Sequence, residues 1–356
     1  MRIVLLIPVA GLLLLAAVYL LTPRAILDME PPERGYTDVH AHIGGIGAGG
    51  SGVYVHPDLA DSFKFGFYLR WLGVSREELD RHGDARVAER LNRAIVESRY
   101  VARAVIPALD GVVREDAIDR AATQLYIPNE FTARMAERYG NLEFGASVHP
   151  DRSDWRQRLL DAQRRGAVLV RWFPAVMDID PSDRRHIDYY RTLVELDLPL
   201  LVHVGRQKLF SEIRSALGDP EKLTLPLERG VTVIATHLGT TGSYEGEASH
   251  ERLLGMLADH PRLYTDIAGL TQLNRVGYLV NALERPVVAD RMLYGSGWPL
   301  QFFPLVSPLY HWPDVDLGTV KTIQLMENRL DRDIALKKAL GVQHGVFERS
   351  GRLLTR

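Results

Sequence analysis

The feature that most constrains the fold is a series of short apolar runs that recur along the chain. Eight such runs, rich in β-branched and aromatic residues and bounded by Gly, Pro or Asp, occupy residues 36–43, 104–110, 142–148, 168–173, 198–204, 231–237, 263–268 and 292–295. Runs of this length and composition are typical of strands that are buried on both faces, as in parallel sheets.

Polar segments with helical periodicity alternate with these runs. They occupy residues 84–103, 129–139, 153–165, 182–196, 207–217, 247–260 and 272–283, and a final helix is predicted over residues 320–340. Eight consecutive strand–helix units predict an α/β fold, a closed (β/α)8 or TIM barrel. An open doubly wound sheet is the alternative, but no Gly-x-Gly-x-x-Gly turn follows the first strand. The glycine-rich residues 44–52 lack the Gly-Lys-Ser/Thr ending of a phosphate loop, and we interpret them as a long mobile loop over the barrel mouth.

The N-terminal segment differs from the rest of the chain. Residues 3–21 are apolar throughout, which at roughly 1.5 Å per residue is just long enough to cross a hydrocarbon layer about 30 Å thick. We therefore predict one N-terminal transmembrane helix, with residues 1–25 as a membrane anchor or signal segment and residues 26–356 as the barrel. An uncleaved anchor is favoured over a cleaved signal peptide, because no Ala-x-Ala-like site follows the apolar run. The barrel is then expected to be membrane-anchored on the exported side, periplasmic or extracellular.

The composition limits the available chemistry and partners. The chain contains no cysteine, so disulfides, thiolate metal sites and a cysteine nucleophile are excluded, and histidines and carboxylates remain as metal ligands. A net charge of −2 gives no indication of a nucleic-acid partner. The expected partners are a small-molecule substrate and, through the N-terminal helix, a membrane. Assembly into a homo-oligomer is left open.

Histidines are concentrated where a (β/α)8 barrel carries its chemistry, at the carboxyl ends of the strands. Of the twelve histidines, five lie at or beside such ends: His40, His42, His149, His203 and His237.

The first predicted strand carries the most specific of these patterns. Asp38, His40 and His42 lie at positions i, i+2 and i+4, and therefore point to the same face of the strand, into the barrel. Two neighbouring imidazoles form a chelating pair for a divalent ion such as zinc. The alternative is that they are buried, hydrogen-bonded histidines without a metal.

The chain also resembles a known family. The resemblance covers nearly all of residues 35–332 and is carried, in order, by the motifs TDVHAHIGG, VRWFPAVMDIDP, LLVHVG, VIATHLG, LYTDIAGLTQLNR and LYGSGWP. These motifs are similar to those of the metal-dependent amidohydrolases, in the amidohydrolase 2 branch that also contains the aminocarboxymuconate-semialdehyde-type decarboxylases.

The resemblance implies a divalent metal, with zinc as the expected ion and His40, His42 and His203 as its ligands. It also implies that His237 is a catalytic residue, beside the attacking water or the substrate. The chemistry agrees, because a cation held by three neutral imidazoles keeps an open position and can lower the pKa of a bound water to about 7. His237 would then move a proton or polarise the substrate.

Two positions depart from the family pattern. Relatives carry an Asp after Gly-Ser on the eighth strand, where it binds the metal and accepts a proton, but this chain has Gly297. Asp38 and Asp266 are the available substitutes, although we expect Asp38 one layer below His40 and Asp266 in a loop at the mouth. The other departure is Arg171, where close relatives often carry a Lys that can be carbamylated to bridge two metals. Arg171 is predicted either to recognise a substrate carboxylate or phosphate or to pair with a nearby acid such as Asp178 or Asp180.

Three functions are left open. The first is a metal-dependent hydrolase acting on a small, carboxylate-bearing amide, ester or lactone. The second is a metal-dependent decarboxylase or lyase of the same superfamily, since carbon–carbon cleavage needs an electron-accepting metal more than an activated water. The third is a catalytically impaired barrel with a binding role, which Gly297 supports. Aromatic residues after the eighth strand (Trp298, Phe302, Phe303, Tyr310 and Trp312) could line a substrate site, although core packing is the preferred interpretation.

Overall fold

Eight parallel strands form one sheet. The computed structural model describes residues 17–206, 210–211 and 213–354. In chain order and in sheet order alike, the strands are β1 (Tyr36–Asp38), β2 (Val101–Pro107), β3 (Leu142–Ala146), β4 (Leu169–Trp172), β5 (Leu200–Val202), β6 (Val233–Ala235), β7 (Leu263–Asp266) and β8 (Met292–Leu293). Each strand pairs in parallel with the next one along the chain. Every strand overlaps one of the predicted apolar runs, so the eight predicted strands are confirmed.

The sheet closes into a barrel where β8 meets β1. The backbone N–H of Val39 donates to Tyr294 O (3.0 Å), and that of His42 donates to Trp298 O (3.0 Å). The interior is packed rather than hollow, as is typical of the (β/α)8 fold. Six side chains from different strands form a separate core cluster and have no exposed surface: Val39, Val105, Leu169, Leu201, Ile234 and Leu293. The predicted TIM barrel is therefore confirmed.

Helices cover the outside of the barrel and its carboxyl end. They are α1 (Pro57–Ala60), α2 (Phe63–Leu72), α3 (Arg76–His82), α4 (Ala85–Val96), α5 (Asn129–Arg138), α6 (Trp155–Arg164), α7 (Pro174–Met177), α8 (Ile187–Glu195), α9 (Thr224–Glu228), α10 (Ser249–Asp259), α11 (Tyr278–Leu283), α12 (Pro286–Ala289), α13 (Leu317–Gln324), α14 (Arg329–Ala339) and α15 (His344–Leu354). Residues 17–21 are also helical. Short antiparallel ribbons pair residues 54–55 with 125–126, 113–114 with 117–118, and 243–244 with 247–248.

Some helical predictions differ from the structure. The segment predicted as a helix over residues 207–217 lies partly outside the described residues, and its described end forms a 3-10 turn at Ser215–Gly218. The single helix predicted over residues 320–340 is two helices, α13 and α14. The break occurs because the Asn328 side chain accepts the backbone N–H of Leu330 (2.9 Å) and so begins a new helix.

The predicted membrane-anchored location on the exported side is wrong. No helix within residues 17–206 or 213–354 is long and apolar enough to cross a bilayer. The predicted span covers residues 3–21, of which residues 3–16 lie outside the described part of the chain.

The glycine-rich loop after β1 is tied to α4 by one carboxylate. Asp84, which is fully buried, accepts the backbone N–H groups of Ile46 and Gly47 (2.9 Å each) and the hydroxyl of Ser51 (2.6 Å). These bonds use the loop's own donors, so this loop is not arranged as an open phosphate cradle. The same segment continues into α2, which lines one part of the barrel mouth.

Candidate metal centre and substrate cavity

A cavity of about 950 Å³ lies at the carboxyl ends of the strands. This is the end of a (β/α)8 barrel where active sites form. All the site residues that the sequence predicted line this cavity: His40, His42, Arg171, His203 and His237. Gly297, which stands after β8 where the family resemblance implies an Asp, lines it as well.

His40 is held in one orientation by Asp266 at the end of β7. Its Nδ1 lies 2.8 Å from Asp266 Oδ2, and both side chains are buried. Because an ionised carboxylate only accepts hydrogen bonds, Nδ1 carries the proton and Nε2 carries the free lone pair. That Nε2 is buried and has no hydrogen-bond partner. A histidine fixed through Nδ1 with Nε2 left free is the usual arrangement of a metal ligand with its supporting carboxylate.

His203, which follows β5, repeats this arrangement with a neutral partner. Its Nδ1 lies 3.1 Å from the hydroxyl of Thr236, and its buried Nε2 has no partner. The Phe173 ring packs against it, with ring centroids 4.0 Å apart. The His42 ring lies edge-on to that of His40 at 4.7 Å. Among the described residues, the ligand atoms of His40, His42 and His203 do not all lie within 4.8 Å of one another.

His237 has a strained backbone that turns its ring toward the other histidines. Its φ of 56° lies in the left-handed region, which non-glycine residues rarely adopt. The backbone N–H donates to Asp266 Oδ1 (3.0 Å), and Nδ1 donates to Ala268 O at 2.7 Å. The ring stacks on His40 at 5.0 Å and lies 5.4 Å from His203. Its Nε2 is therefore the nitrogen available to a ligand.

Three of these histidines favour the neutral form. Burial lowers the pKa of His42, His203 and His237 well below the usual range, and nearby positive charges act in the same direction. For His203 and His237 the largest of these charges is Arg275. Neutral imidazole is the form that binds metal ions.

Asp266 differs from expectation, whereas Asp38 lies below the site as expected. Asp266 is not a loop residue at the mouth: it has no exposed surface, ends β7 and joins His40 to His237. Asp38 is also fully buried, and its Oδ1 accepts the backbone N–H groups of His40 and Ser296 (2.9 Å each). Burial raises the pKa of Asp38. Asp38 thus fixes the backbone around the site, and it does not line the cavity.

Arg171 on β4 is buried without a contacting counter-ion, although the Asp266 carboxylate acts on it from a longer distance. Its side chain is 7% exposed, and the guanidinium carbon lies 5.9 Å from the centroid of the Phe173 ring. The guanidinium makes no direct hydrogen bond or ion pair with any residue that the structure describes. The ion pair considered with Asp178 or Asp180 does not form, since Asp178 pairs with Arg214 and Asp180 pairs with Lys222.

Comparison with known proteins identifies the family. The model of the amidohydrolase family matches residues 37–305, which is most of the chain. This chain belongs to the amidohydrolase family.

Solved structures agree on the fold of this amidohydrolase. An uncharacterised TIM-barrel protein of Bordetella bronchiseptica is 15% identical, with a TM-score of 0.57 and coverage of 90% of this chain and 100% of that one. The probable 2-pyrone-4,6-dicarboxylic acid hydrolase of Acinetobacter baumannii is 13% identical, with a TM-score of 0.50 and coverage of 90% and 95%. At these identities the likeness supports the barrel fold alone. A search of curated proteins found no match.

The residues of this amidohydrolase fit a divalent cation. The buried Nε2 atoms of His40 and His203 have no hydrogen-bond partner within the protein, as expected of nitrogens that bind a metal ion. Possible ligand atoms of His40, His237 and Asp266 also lie within 4.8 Å of one another. We favour the imidazole set over this second group, because Asp266 Oδ2 is bonded to His40 and Oδ1 accepts the N–H groups of His237 and Ala268.

Gly297 leaves space where relatives of this amidohydrolase carry a carboxylate. Its N–H donates to His40 O (2.8 Å), and its φ is 67°. A Cβ placed there would lie 3.4 Å from the backbone nitrogen of Gly269, an ordinary van der Waals contact. Asp tolerates this backbone region better than most residues do. There is therefore room for a side chain at this position, although the positive φ would strain its backbone.

Sequence reasoning missed Arg275, which lies in a 3-10 turn at Leu273–Arg275. It lines the cavity, is 9% exposed, and its buried Nε has no partner. The LTQLNR motif contains it, but a lone Arg in a loop gives no periodic signal. Of the aromatic residues after β8, Phe302 lines the cavity, whereas Phe303 and Trp312 are exposed outside it.

Proposed function

We propose that this amidohydrolase is a metal-dependent hydrolase of a carboxylate-bearing ester, amide or lactone. The observation that carries the proposal is the pair of buried imidazoles, His40 and His203, whose Nε2 atoms are free while their Nδ1 atoms are anchored. Together with His42 they would hold one divalent cation. Three imidazole nitrogens suit zinc.

The cation, when bound, would polarise the scissile carbonyl and make water a better nucleophile at neutral pH. His237 is the proposed general base. Its Nδ1–H is fixed on Ala268 O, so Nε2 is oriented to accept a proton from the attacking water. The same proton is then given to the leaving oxygen or nitrogen as the carbonyl bond to that atom breaks. Because His237 performs both transfers, hydrolysis in this site does not require an acid on β8.

Arg171 is proposed to bind the carboxylate of the substrate. Burial lowers its pKa to about 10, so the side chain is still charged at neutral pH. A planar guanidinium matches a carboxylate through two parallel hydrogen bonds. The absence of a contacting counter-ion among the described residues leaves this geometry free for a ligand.

Two ester substrates of nearly equal size test the proposal. The mono-4-nitrophenyl ester of glutaric acid and 4-nitrophenyl valerate differ mainly in the terminal carboxylate. We expect zinc-loaded protein to favour the charged ester. Arg171→Gln should lower kcat/KM for the charged ester by about 10- to 100-fold and leave kcat/KM for the neutral ester unchanged. His237→Gln should lower hydrolysis of both esters by about 10²–10⁴-fold. Equal rates for the two esters, or rates that are independent of metal, would contradict the proposal.

A decarboxylase is the second candidate, favoured by one observation. No Asp or Glu side chain lines the cavity within the described residues, and Gly297 supplies none from β8. Carbon–carbon cleavage next to a carboxylate needs no activated water. Release of carbon dioxide from an aromatic carboxylate such as 2,6-dihydroxybenzoate, with no ester hydrolysis, would favour this candidate.

A further inference from the structure

Two buried arginines line the cavity, Arg171 and Arg275, and no acidic residue does so within the part of the chain that the structure describes. They are 7% and 9% exposed, and neither guanidinium makes a direct ion pair or hydrogen bond with a described residue; the Asp266 carboxylate acts on both only from a longer distance. Burying two guanidinium groups without a contacting anion opposes folding, so such groups normally have an anionic partner. An anionic ligand would supply that contact.

Another part of the cavity lining is apolar and aromatic. Helix α2 contributes Phe67, Tyr68 and Trp71 to the cavity, and Trp71 stacks on Phe302 with ring centroids 4.1 Å apart and planes 9° from parallel. Phe63, at the start of α2, is 74% exposed, and Phe67 is 53% exposed. Large aromatic rings left in water beside a pocket are typical of a surface that binds an apolar ligand.

The size of the cavity also exceeds what a small carboxylate needs. Ligand pockets in proteins range over about 300–1,000 Å³, and this one measures about 950 Å³. A ligand confined to the histidines and arginines would leave the α2 and Phe302 wall exposed to water. The small substrate expected from the sequence therefore does not use this cavity fully.

We propose that the substrate is an amphiphilic anion, with a carboxylate head bound by Arg171 and Arg275 and a medium-chain acyl or aryl body packed on the wall formed by Trp71 and Phe302. This inference deepens the proposed hydrolase function and rests on it for the reaction, but not for the binding. Arg275 is then a second specificity residue beside Arg171. The apolar wall selects for the length of the body.

A series of alkanoates tests the binding directly. Isothermal titration of the full-length, zinc-loaded chain with butyrate, hexanoate, octanoate and decanoate should show Kd falling about three- to fourfold for each added methylene. Arg275→Gln should raise Kd by about 10- to 100-fold at every chain length, because it removes a charge-assisted contact to the head. Octyltrimethylammonium, which has a similar chain but the opposite charge, should bind at least tenfold more weakly than octanoate.

Substitutions in the apolar wall test whether it causes the dependence of Kd on chain length. Trp71→Ala should flatten the dependence on chain length while leaving butyrate affinity unchanged, and Phe302→Ala should do the same if Trp71→Ala fails to fold. Trp312→Ala is the matched control, since Trp312 is a half-exposed aromatic outside the cavity lining. This control should keep the full slope.

Three results would overturn the inference: affinity that does not depend on chain length, equal effects of Trp71→Ala and Trp312→Ala, or octyltrimethylammonium binding as tightly as octanoate. These outcomes are separate from failure of the hydrolase proposal. A steep chain-length series with no ester turnover would contradict the reaction alone, and hydrolysis of the glutarate ester with a flat series would contradict the amphiphile alone.

Discussion

Two polar clusters at the same end of the barrel satisfy their charges in opposite ways. The cluster that follows β2 and β3 comprises Asp110, His149 and Arg152, and we call it the saturated cluster. Arg152 binds both carboxylate oxygens of Asp110 (2.7 and 2.8 Å), and the N–H of His149 also donates to Asp110. Both ring nitrogens of His149 have partners, Met177 O and the N–H of Asp151. The saturated cluster therefore has little capacity left for a ligand.

The cavity also contains arginine and histidine side chains, but some of their polar groups have no partner within the protein. Arg171 lacks the carboxylate that Arg152 has, and His40 and His203 each keep a buried nitrogen that His149 does not. Since buried polar groups in proteins are normally paired, an unpaired group needs a partner from outside the chain. The comparison teaches that pairing, rather than residue type or position at a strand end, separates a structural cluster from a candidate site.

Removal of the two unpartnered imidazoles tests this comparison most strongly. In His40→Ala combined with His203→Ala, we expect metal content to fall from about one ion per chain to none. Ester hydrolysis should fall by about a thousandfold or more, because the cation contributes several kcal/mol to the transition state. Elemental analysis and kcat/KM provide the measurements. His149→Ala is the control from the saturated cluster and should retain the metal; a double variant that also retained it would exclude the proposed ligand set.

Restoring a carboxylate at position 297 tests whether the cavity is incomplete. Gly297→Asp should tighten zinc binding. Because His237 is proposed to perform both proton transfers, ester hydrolysis should change little; a gain of up to about 10²–10⁴-fold would show instead that an acid on β8 is the missing group. The left-handed backbone makes the change cost about 1–3 kcal/mol in the free energy of unfolding. Gly297→Ala introduces the same strain without the carboxylate and separates the two effects. A folded, metal-loaded Asp variant with no gain would indicate that His237 already performs the proton transfers.

The two buried arginines should respond oppositely in stability. Arg152→Ala leaves the buried Asp110 carboxylate without its partner and should lower the free energy of unfolding by about 3–5 kcal/mol. Arg171→Ala removes an unpaired buried charge and should leave that free energy unchanged or raise it, a pattern typical of residues kept for function. Urea denaturation of both variants measures the difference. Equal destabilisation would mean that Arg171 has a structural partner and that the comparison fails.

The carboxylate that supports His40 should have the smallest effect. Asp266→Asn keeps an acceptor for His40 Nδ1 but removes the charge that fixes the ring, so zinc affinity should fall by about 10- to 100-fold. Competition with a chelator of known affinity measures this change. Asp38→Asn offers a comparison, because Asp38 bonds to Ser296 and to the backbone of His40 rather than to an imidazole ring, and should alter stability more than zinc affinity. The reverse ranking would reassign the supporting role to Asp38.

Much of the fold followed from the sequence because each barrel strand is buried on both faces. Such strands appear as continuous apolar runs, and all eight were found. Helix α2 was not predicted, because its residues FKFGFYLRWL carry apolar side chains on most faces and give no helical stripe. Those same apolar positions line the cavity, so the helix that escaped prediction is also a wall of the candidate site.

Most of the candidate site was predictable for a related reason. His40, His42, His203 and His237 lie at strand ends, whose positions the apolar runs define. Asp266 was predicted as a loop residue at the mouth, but it is buried. Its burial depends on the direction in which the chain turns after β7, and the local sequence pattern does not indicate that direction. Arg275 lies in an irregular turn, and only the three-dimensional structure shows that it lacks a contacting counter-ion.

The closure of the barrel has a consequence for the order in which the protein folds. The Asp38 carboxylate and the Ser296 N–H that it binds are separated by 258 positions in the chain. The bond from Gly297 to His40 spans a similar length, so the backbone around the first metal-ligand candidate is completed by the last strand. Closing so long a loop costs conformational entropy before these contacts stabilise the fold. A nascent chain that has not yet produced the residues after β8 lacks the bonds that hold the backbone around His40.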